Sequence, residues 1–281
     1  MTSFSDWRLA DDGRLGPILR DCVRAAIAAP SIHNAQPWRF RPRENGIDVF
    51  VDRTRRLGVI DPSGREVFIS VGAALFNLRV AILAHGRAPL TRLMPDRREP
   101  HRIASVTLGP PIRVSDTVRM LAQAIPRRHT NRRPFLEVAI PHEVLHELVE
   151  AAAVEGGRLA VADPGARDGV LNLVRLAESL ERGDPDYWQE LRAWTEQTPH
   201  RRDGVPPEAY GPWSAMESVP IRDFGLIEPS RRRVVKMFEK EPTIAVLYST
   251  SDSPRQWVIA GQALERTLLC LLYTSPSPRD S

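Results

Sequence analysis

Four polar side chains lie close together near the start of the chain, in a stretch with the composition of a binding turn. They are Ser31, His33, Asn34 and Gln36, and together they offer several hydrogen-bond donors and acceptors. Pro30 must end any helix that precedes them, and Trp38 can hold the turn still by being buried. We call residues 30–37 the polar turn. From its spacing alone, a helix-to-strand loop without chemistry is an equally good interpretation.

The second candidate for chemistry is the most cationic stretch of the chain, residues 127–135, which we call the basic patch. Its arginines alternate with a threonine and an asparagine. Guanidinium groups form paired, charge-assisted hydrogen bonds with phosphate, and hydroxyl groups can bind the remaining oxygens. This composition is therefore compatible with a phosphate site, although a solvated basic loop has the same composition.

A third motif, His142-Glu143-Val144-Leu145-His146, matches the H-E-x-x-H pattern of zinc proteases. Two histidines four residues apart share one helix face, and the glutamate could activate a zinc-bound water. Here Pro141 puts the motif in the first turn of a helix, where proline and acidic residues are common for capping reasons. No third ligand motif follows it, so we expect no metal site.

Hydrophobic spacing predicts the elements that must position these motifs. The predicted helices cover residues 15–29, 67–84, 114–125, 145–152, 165–180, 187–194, 231–239 and 257–270. The predicted strands cover residues 47–51, 89–94, 103–108, 158–162 and 243–248. The last of these is the most apolar, and we expect it to be a central, buried strand.

Length and composition limit the class of protein. The chain has 281 residues, 42% of them hydrophobic, which is enough to form a sizeable core in one large domain or two ordinary ones. The formal net charge is +4. Most of the basic residues are arginines, and acidic residues are interspersed among them. We therefore expect no nucleic-acid partner.

The cysteines and the N-terminal segment indicate the compartment. Cys22 and Cys270 are far apart in the sequence, so they form neither a disulfide framework nor a metal-binding pattern. The first residues carry charges that a signal peptide lacks, and we expect no apolar run long enough to span a membrane. We expect a cytoplasmic protein without a membrane partner.

The string Ala29-Pro30-Ser31-Ile32-His33-Asn34-Ala35-Gln36-Pro37-Trp38 resembles the APSxxNxQPW turn of the nitroreductase superfamily. The resemblance is closest to its Acg-like branch, whose members bind flavin mononucleotide (FMN). The basic patch resembles the R-x-[ST]-x-[RK] segment that grips the flavin phosphate in these enzymes. The resemblance implies an α+β fold of nitroreductase type, with mixed sheets flanked by helices. It also implies an FMN site formed by Ser31, His33, Asn34, Gln36, Arg128, His129, Thr130 and Arg132.

In ordinary family members the phosphate segment precedes the turn, whereas here it follows the turn. An internal duplication explains this order, because residues 71–75 and 260–264 open two similar apolar helices. We therefore expect two nitroreductase-like halves, residues 1–126 and 127–270. Family dimers bind flavin between two chains, so the fused halves would form a monomer that imitates a dimer.

Two further segments are interpreted through the resemblance. Residues 198–230 are rich in proline and aromatic side chains, and they resemble the lid that covers the flavin in Acg-like proteins. A surface wrap with no ligand beneath it is the alternative. Residues 271–281 resemble translated adapter sequence and no nitroreductase C-terminus. We expect them to be a non-native tail that replaces late flavin contacts and the last strand.

The expected function of the intact relative is flavin-dependent oxidoreduction. In such enzymes a hydride passes from NAD(P)H through the flavin to an electron-poor acceptor, such as a nitro compound or a quinone. No catalytic side chain is predicted, because the cofactor carries the chemistry. The alternative from another class is a protein that binds or stores flavin without turnover, with its site covered by the lid.

Overall fold

The computed structural model describes residues 16–195, 201–214 and 233–274, and it has an α+β fold. The helices are α1 (Pro17–Ala26), α2 (Arg65–Ala84), α3 (Asp116–Ala124), α4 (His142–Val154), α5 (Pro164–Arg182), α6 (Pro185–Thr195) and α7 (Pro254–Thr274). The strands are β1 (Trp38–Arg43), β2 (Gly46–Val51), β3 (Arg87–Leu93), β4 (Arg102–Pro111), β5 (Arg158–Val161), β6 (Trp213–Ser214), β7 (Val235–Lys236) and β8 (Ala245–Tyr248).

The largest sheet is antiparallel throughout, with the strand order β1-β2-β4-β3. Strands β5 and β8 form a separate antiparallel pair, and β6 and β7 form a short parallel pair. We expected mixed sheets. Among the described residues, however, no single sheet combines parallel and antiparallel strands. The α+β class itself is confirmed.

Helices α2 and α7 form the centre of the molecule and cross at Gly72 and Gly261. A Cβ atom on Gly72 would collide with the carbonyl oxygen of Val258, and one on Gly261 would collide with that of Ile69. Each obstructing carbonyl lies three residues before the other helix's glycine, so the contact is reciprocal. The two backbones can approach this closely because neither helix has a side chain at the crossing.

Helix α2 is buried on nearly every side, as its uniformly apolar sequence indicates. Its length and hydropathy would suffice for a membrane span, so our expectation that no apolar run is long enough was wrong. However, 72% of the relevant window is buried inside the protein. A core helix meets the same criteria of length and composition.

The polar turn is placed between two buried elements of the first core. Helix α1 buries one face, including Cys22 and Val23, against α2 and the four-stranded sheet. After the turn, β1 alternates buried and exposed residues, and Trp38 and Phe40 point inward. Helix α1 ends at Ala26, earlier than predicted, and residues 27–37 connect it to β1.

Two strand assignments differ from prediction because of neighbours that local sequence does not show. Strand β1 was not predicted. It contains Pro42, and it lies at the sheet edge, where proline is tolerated. Strand β8 was predicted to be central and buried, and this was wrong. Among the described residues its one strand partner is β5, and its Val246 and Tyr248 side chains are 41% and 46% exposed.

The predicted helix at residues 231–239 is also wrong over the part that the structure describes. Val235–Lys236 is strand β7, which pairs with Trp213–Ser214. The Arg233 guanidinium donates to the carbonyl oxygens of Tyr210 and Gly211 and stacks over Trp213. These long-range contacts hold the segment extended and override its local helix propensity.

The predicted lid and the predicted tail fall largely outside the described residues. Of the lid, residues 198–230, the structure describes 201–214. Helix α7 continues through Thr274, beyond the predicted end at Cys270. Residues 275–281 of the predicted tail lie outside the described residues.

Candidate functional site

The polar turn has a strained backbone. Among the described residues, four non-glycine residues have a positive φ, and three of them, His33, Asn34 and Gln36, lie in this turn. Such conformations cost on the order of 1–3 kcal/mol each and persist only where the surrounding structure fixes them. Strain of this kind clusters at binding and active sites. The turn is therefore the first candidate for function on structural grounds as well.

Hydroxyl groups fix the shape of the polar turn and its position on the core. Ser31 Oγ accepts a hydrogen bond from the Gln36 backbone N–H at 2.9 Å. On α2, Ser70 Oγ accepts from the Ile32 N–H at 3.2 Å and donates to the Glu66 carbonyl at 2.7 Å. His33 is 5% exposed. The Ser31 hydroxyl therefore closes the turn on itself, and the Ser70 hydroxyl attaches the turn to the central helix α2.

The two amide side chains of the turn bind residues 201–214, which we call the bridging segment. Asn34 Nδ2 donates to the Gly204 carbonyl at 3.0 Å, and the Gly204 N–H donates back to the Asn34 carbonyl at 3.2 Å. Gln36 Nε2 donates to the Arg202 carbonyl at 2.8 Å. In Gly204 the φ is +81°, and a Cβ atom would collide with the Trp194 carbonyl. The amides thus hold the described part of the predicted lid.

An ion pair adds to this attachment. Arg55 donates to the Ala35 carbonyl in the turn and pairs with Asp203 in the bridging segment. Both side chains of the pair are 17% exposed. Burial raises the pKa of Asp203, but its contacts with Arg201 and Arg55 outweigh burial and hold the pKa below its ordinary value. Asp203 is therefore ionised near neutral pH, and the pair is charged.

In the basic patch, Arg128 turns inward toward the core. Its Nη2 donates to the Ala28 carbonyl at 3.4 Å, just before the polar turn, and its Nε lies 3.8 Å from Glu265 Oε1 on α7. The Arg128 side chain is 13% exposed and the Glu265 side chain is fully buried. Burial raises the pKa of Glu265 to about 7, and Arg128 and Asn77 oppose this shift.

The rest of the basic patch is closer to the surface. Arg132 Nη1 donates to the Ala209 carbonyl at 3.0 Å, and Gly211 packs so closely on the Arg132 backbone that a Cβ atom would collide with it. His129 and Thr130 are exposed. The His129 ring nitrogen Nδ1 lies 3.1 Å from the Arg127 carbonyl oxygen.

Contacts between these segments bring the polar turn and the basic patch into one region. Arg128 reaches the end of the helix that leads into the turn. The bridging segment binds the turn through residues 202–204 and the patch through residues 209–211. Three segments that are far apart in the sequence therefore form one continuous hydrogen-bonded site.

Comparison with known proteins gives relatives for nearly the whole chain. An uncharacterized Mycobacterium tuberculosis protein, Rv3127, is 33% identical over 258 residues, which cover 90% of this chain and 74% of the relative. A protein of the same organism named "Putative NAD(P)H nitroreductase acg" is 31% identical over 256 residues, 90% of this chain and 76% of the relative. The chain belongs to the Acg-like nitroreductase family. A further relative in this organism, "Putative NAD(P)H nitroreductase Rv3131", is 30% identical over 254 residues. No protein-family model matches the chain.

Within this Acg-like chain, the residues fit the two ends of FMN unequally. Arg132, Thr130 and His129 bring guanidinium, hydroxyl and imidazole groups to the patch surface beside the inward-facing Arg128. Such a donor set suits a phosphate monoester. At the other end, the amides of Asn34 and Gln36 already bind the bridging segment. The phosphate end of the site is therefore a good fit, while the ring end is defined by the turn together with the bridging segment.

The zinc-protease motif has a structural explanation in this family member. It forms the first turn of α4, and its His142 and His146 are exposed, while Leu148 on the same helix is buried. In the part of the chain that the structure describes, no three histidine, cysteine or acidic side chains are grouped closely enough to hold a metal. The described residues thus offer the motif no third ligand.

The sequence analysis missed four residues that organise the site. Arg55 and Asp203 attach the bridging segment, and Asn77 and Glu265 lie behind Arg128. The first pair joins residues far apart in the sequence, and no local pattern reveals it. The second pair had a weak signal, because each is a polar residue on a face of a core helix where apolar residues lie one turn away. A polar residue at such a position is expected only with a buried partner.

Proposed function

We propose that this chain is an FMN-dependent NAD(P)H oxidoreductase of the nitroreductase type. Relatives named as NAD(P)H nitroreductases match it over about nine-tenths of its length. The single observation that carries the proposal is the meeting of the polar turn and the basic patch, with Arg128 on Ala28 and the bridging segment bound to both. The family resemblance assigns these same two segments to opposite ends of one flavin.

Each residue contributes binding and orientation. Arg128, Arg132, Thr130 and His129 bind the phosphate by charge and hydrogen bonds. Ser31, His33, Asn34 and Gln36 hold the turn, and through it the bridging segment, against the ring. FMN held by these residues would supply the redox chemistry, the transfer of a hydride from NAD(P)H to a nitro compound or quinone. The protein's part is to keep that reaction positioned and shielded from water.

We also propose that the chain is an internally duplicated monomer that imitates a family dimer. The segment α1-β1-β2-α2 and the segment α4-β5-β8-α7 have the same order of helices and antiparallel strands. The reciprocal crossing of Gly72 and Gly261 supports a two-fold relation between them. In that arrangement the first half supplies the turn and the second supplies the phosphate grip, so one chain holds one complete site.

The proposed setting follows from the same assignment. An FMN oxidoreductase of this type uses NAD(P)H, which is available in the cytoplasm, and small electron-poor acceptors as substrates. Arginine and acidic residues are paired across the described surface, as with Arg24 and Asp21 or Arg65 and Asp252. This interspersed charge supports a protein without a nucleic-acid or membrane partner.

One observation favours a second candidate function, a flavin-binding or flavin-storing protein without turnover. The bridging segment is held on the turn by both amides and by the partly buried ion pair of Arg55 with Asp203. A cover held this firmly would block a nicotinamide from reaching the ring.

Rapid mixing of the FMN-loaded protein with NADH or NADPH separates the two functions. Bleaching of the flavin absorbance near its visible maximum, followed by recovery when a nitroaromatic compound or a quinone is added, supports the oxidoreductase. Flavin that stays oxidised with both nicotinamides, but is reduced by dithionite, supports storage. A chain that retains no FMN would contradict both.

A further inference from the structure

A carboxylate lies in the core directly behind the candidate phosphate site. Glu265 on α7 is fully buried, and so is Asn77 on the facing helix α2. Arg128 enters the same space from the end of the short helical turn at Ile125–Arg127. Around them lie apolar side chains, among them Phe76 and Leu269.

This group of polar side chains is poorly satisfied. Asn77 lies near enough to Glu265 to lower the pKa of its carboxyl group. Even so, among the described residues no hydrogen bond of ordinary geometry reaches either Glu265 carboxylate oxygen, the Asn77 amide atoms or Arg128 Nε. A buried polar group without a bond costs roughly 1–3 kcal/mol, and more when it is charged. Stability alone would favour apolar side chains of similar volume here. The cluster therefore needs an explanation other than stability.

The geometry of Arg128 supplies one. Its guanidinium lies between the core and the end of α1, with the Nε edge toward Glu265 and Nη2 on the Ala28 carbonyl. A long arginine side chain has many rotamers in water, and a charged partner on one edge selects among them. Without Glu265, the apolar residues of the core would not hold a guanidinium at this depth.

We propose that Glu265 is a positioning residue that holds the Arg128 guanidinium ready for the phosphate of FMN. The proposal rests on the proposed function, because it deepens the account of the same site. Glu265 touches no cofactor atom itself, since it lies on the core side of Arg128. Its effect must therefore be specific for a flavin that carries a phosphate, and must pass through Arg128.

Two flavins distinguish positioning from a general structural role. FMN and riboflavin share the ring and the ribityl chain, and only FMN carries the phosphate. Titration of each flavin with the full chain, followed by quenching of flavin fluorescence, gives the ratio of the two dissociation constants. A general loss of structure weakens both flavins, whereas a misplaced Arg128 weakens FMN alone.

The decisive variant is Glu265→Leu, which removes the acceptor at nearly constant volume. We expect it to weaken FMN binding about tenfold or more, because it leaves a guanidinium without its partner, and to leave riboflavin binding unchanged. Glu265→Gln keeps an oxygen facing Arg128 Nε at nearly the same distance and should recover most of the FMN affinity. In an Arg128→Ala background, Glu265→Leu should have no further effect on FMN binding.

A matched control is Glu155, the residue directly after α4. It is a buried carboxylate that pairs with Arg79 and Arg266, neither of which belongs to the basic patch. Glu155→Gln should leave the ratio of FMN to riboflavin affinity unchanged. If Glu265→Leu also leaves that ratio unchanged, or weakens both flavins equally, the positioning role is overturned while the proposed function stands. If the unaltered chain binds neither flavin, the proposed function is overturned and this inference with it.

Discussion

The segments α1-β1-β2-α2 and α4-β5-β8-α7 have the same framework but very different connections. Residues 27–37 join α1 to β1 and contain the strained polar turn, whereas residues 155–157 join α4 to β5 through a tight turn at Gly156, with φ +84°. The second segment has no room for an equivalent set of polar side chains. The two segments thus share the order of their helices and strands. The long connection between α1 and β1, which the second segment lacks, contains the candidate site.

The strands differ in the same way. Strand β2 pairs with β1 on one side and β4 on the other, and its Ile47 and Val49 are buried. Among the described residues, strand β8 pairs only with β5 and is half exposed. Burial of a strand thus follows from the number of its neighbours rather than from its own sequence.

The crossing of the two core helices is where the segments are most alike, and it is where we expect the largest effect of a substitution. Gly72→Ala and Gly261→Ala each put a Cβ atom into the opposite helix's carbonyl. Each should lower the free energy of unfolding by about 3 kcal/mol or more, measured by urea denaturation.

The control for this prediction is Gly169→Ala in α5, where a Cβ atom meets nothing within 4 Å. It should stabilise the chain by about 0.5–1 kcal/mol. A large effect at only one of the two crossing glycines would break the symmetry that we infer.

A difference at the same crossing gives the next prediction. Four residues after the glycine, α2 has Phe76 and α7 has Glu265. Because burial raises the pKa of Glu265 to about 7 in the folded chain, its contribution to stability is present at low pH and is lost as the pH rises through 7. Between pH 5 and 8 this loss should be on the order of a few kcal/mol.

The measurement is the free energy of unfolding of the unaltered chain minus that of Glu265→Gln at each pH, which cancels the titration of other groups. A difference that stays constant from pH 5 to 8 would show that Glu265 is ionised throughout and that burial does not control its proton.

A smaller effect is expected where the bridging segment meets the polar turn. Asp203→Asn removes the charge that pairs with Arg55, so the segment should open more easily by about 1 kcal/mol. Hydrogen exchange of the Gly204 amide, which donates to the Asn34 carbonyl, reports this opening.

Asp21→Asn is the matched control, because Asp21 forms an exposed pair with Arg24 and should change the exchange of Gly204 by no more than a few tenths of a kcal/mol. Equal effects of the two substitutions would mean that the partly buried pair does not hold the segment.

Much of the framework could be predicted from the sequence. The apolar runs that begin near Val71 and Ala260 predicted both core helices. Pro30 predicted a turn after α1, although the helix itself ends earlier, at Ala26. Strand β8 and residues 231–239 were wrong because their state depends on partners elsewhere in the chain. An apolar run does not reveal how many strands will flank it.

The candidate site could be predicted only in part. The polar turn and basic patch were recognisable by motif, and the structure brings them together through Arg128. Which atoms bind which could not be predicted, since the Asn34 and Gln36 amides bind a segment about 170 residues later. The pairing of Arg128 with Glu265 is equally non-local, and a single sequence contains no signal for it beyond a polar residue in a buried stripe.

The most direct test of the site is the visible absorbance spectrum of the purified chain after incubation with FMN and desalting. The account predicts a retained flavin spectrum that is lost when Arg128→Ala and Arg132→Ala are combined, with the far-UV circular dichroism unchanged. A colourless unaltered chain, or a double variant that keeps its flavin, would contradict the claim that the polar turn and the basic patch form one FMN site.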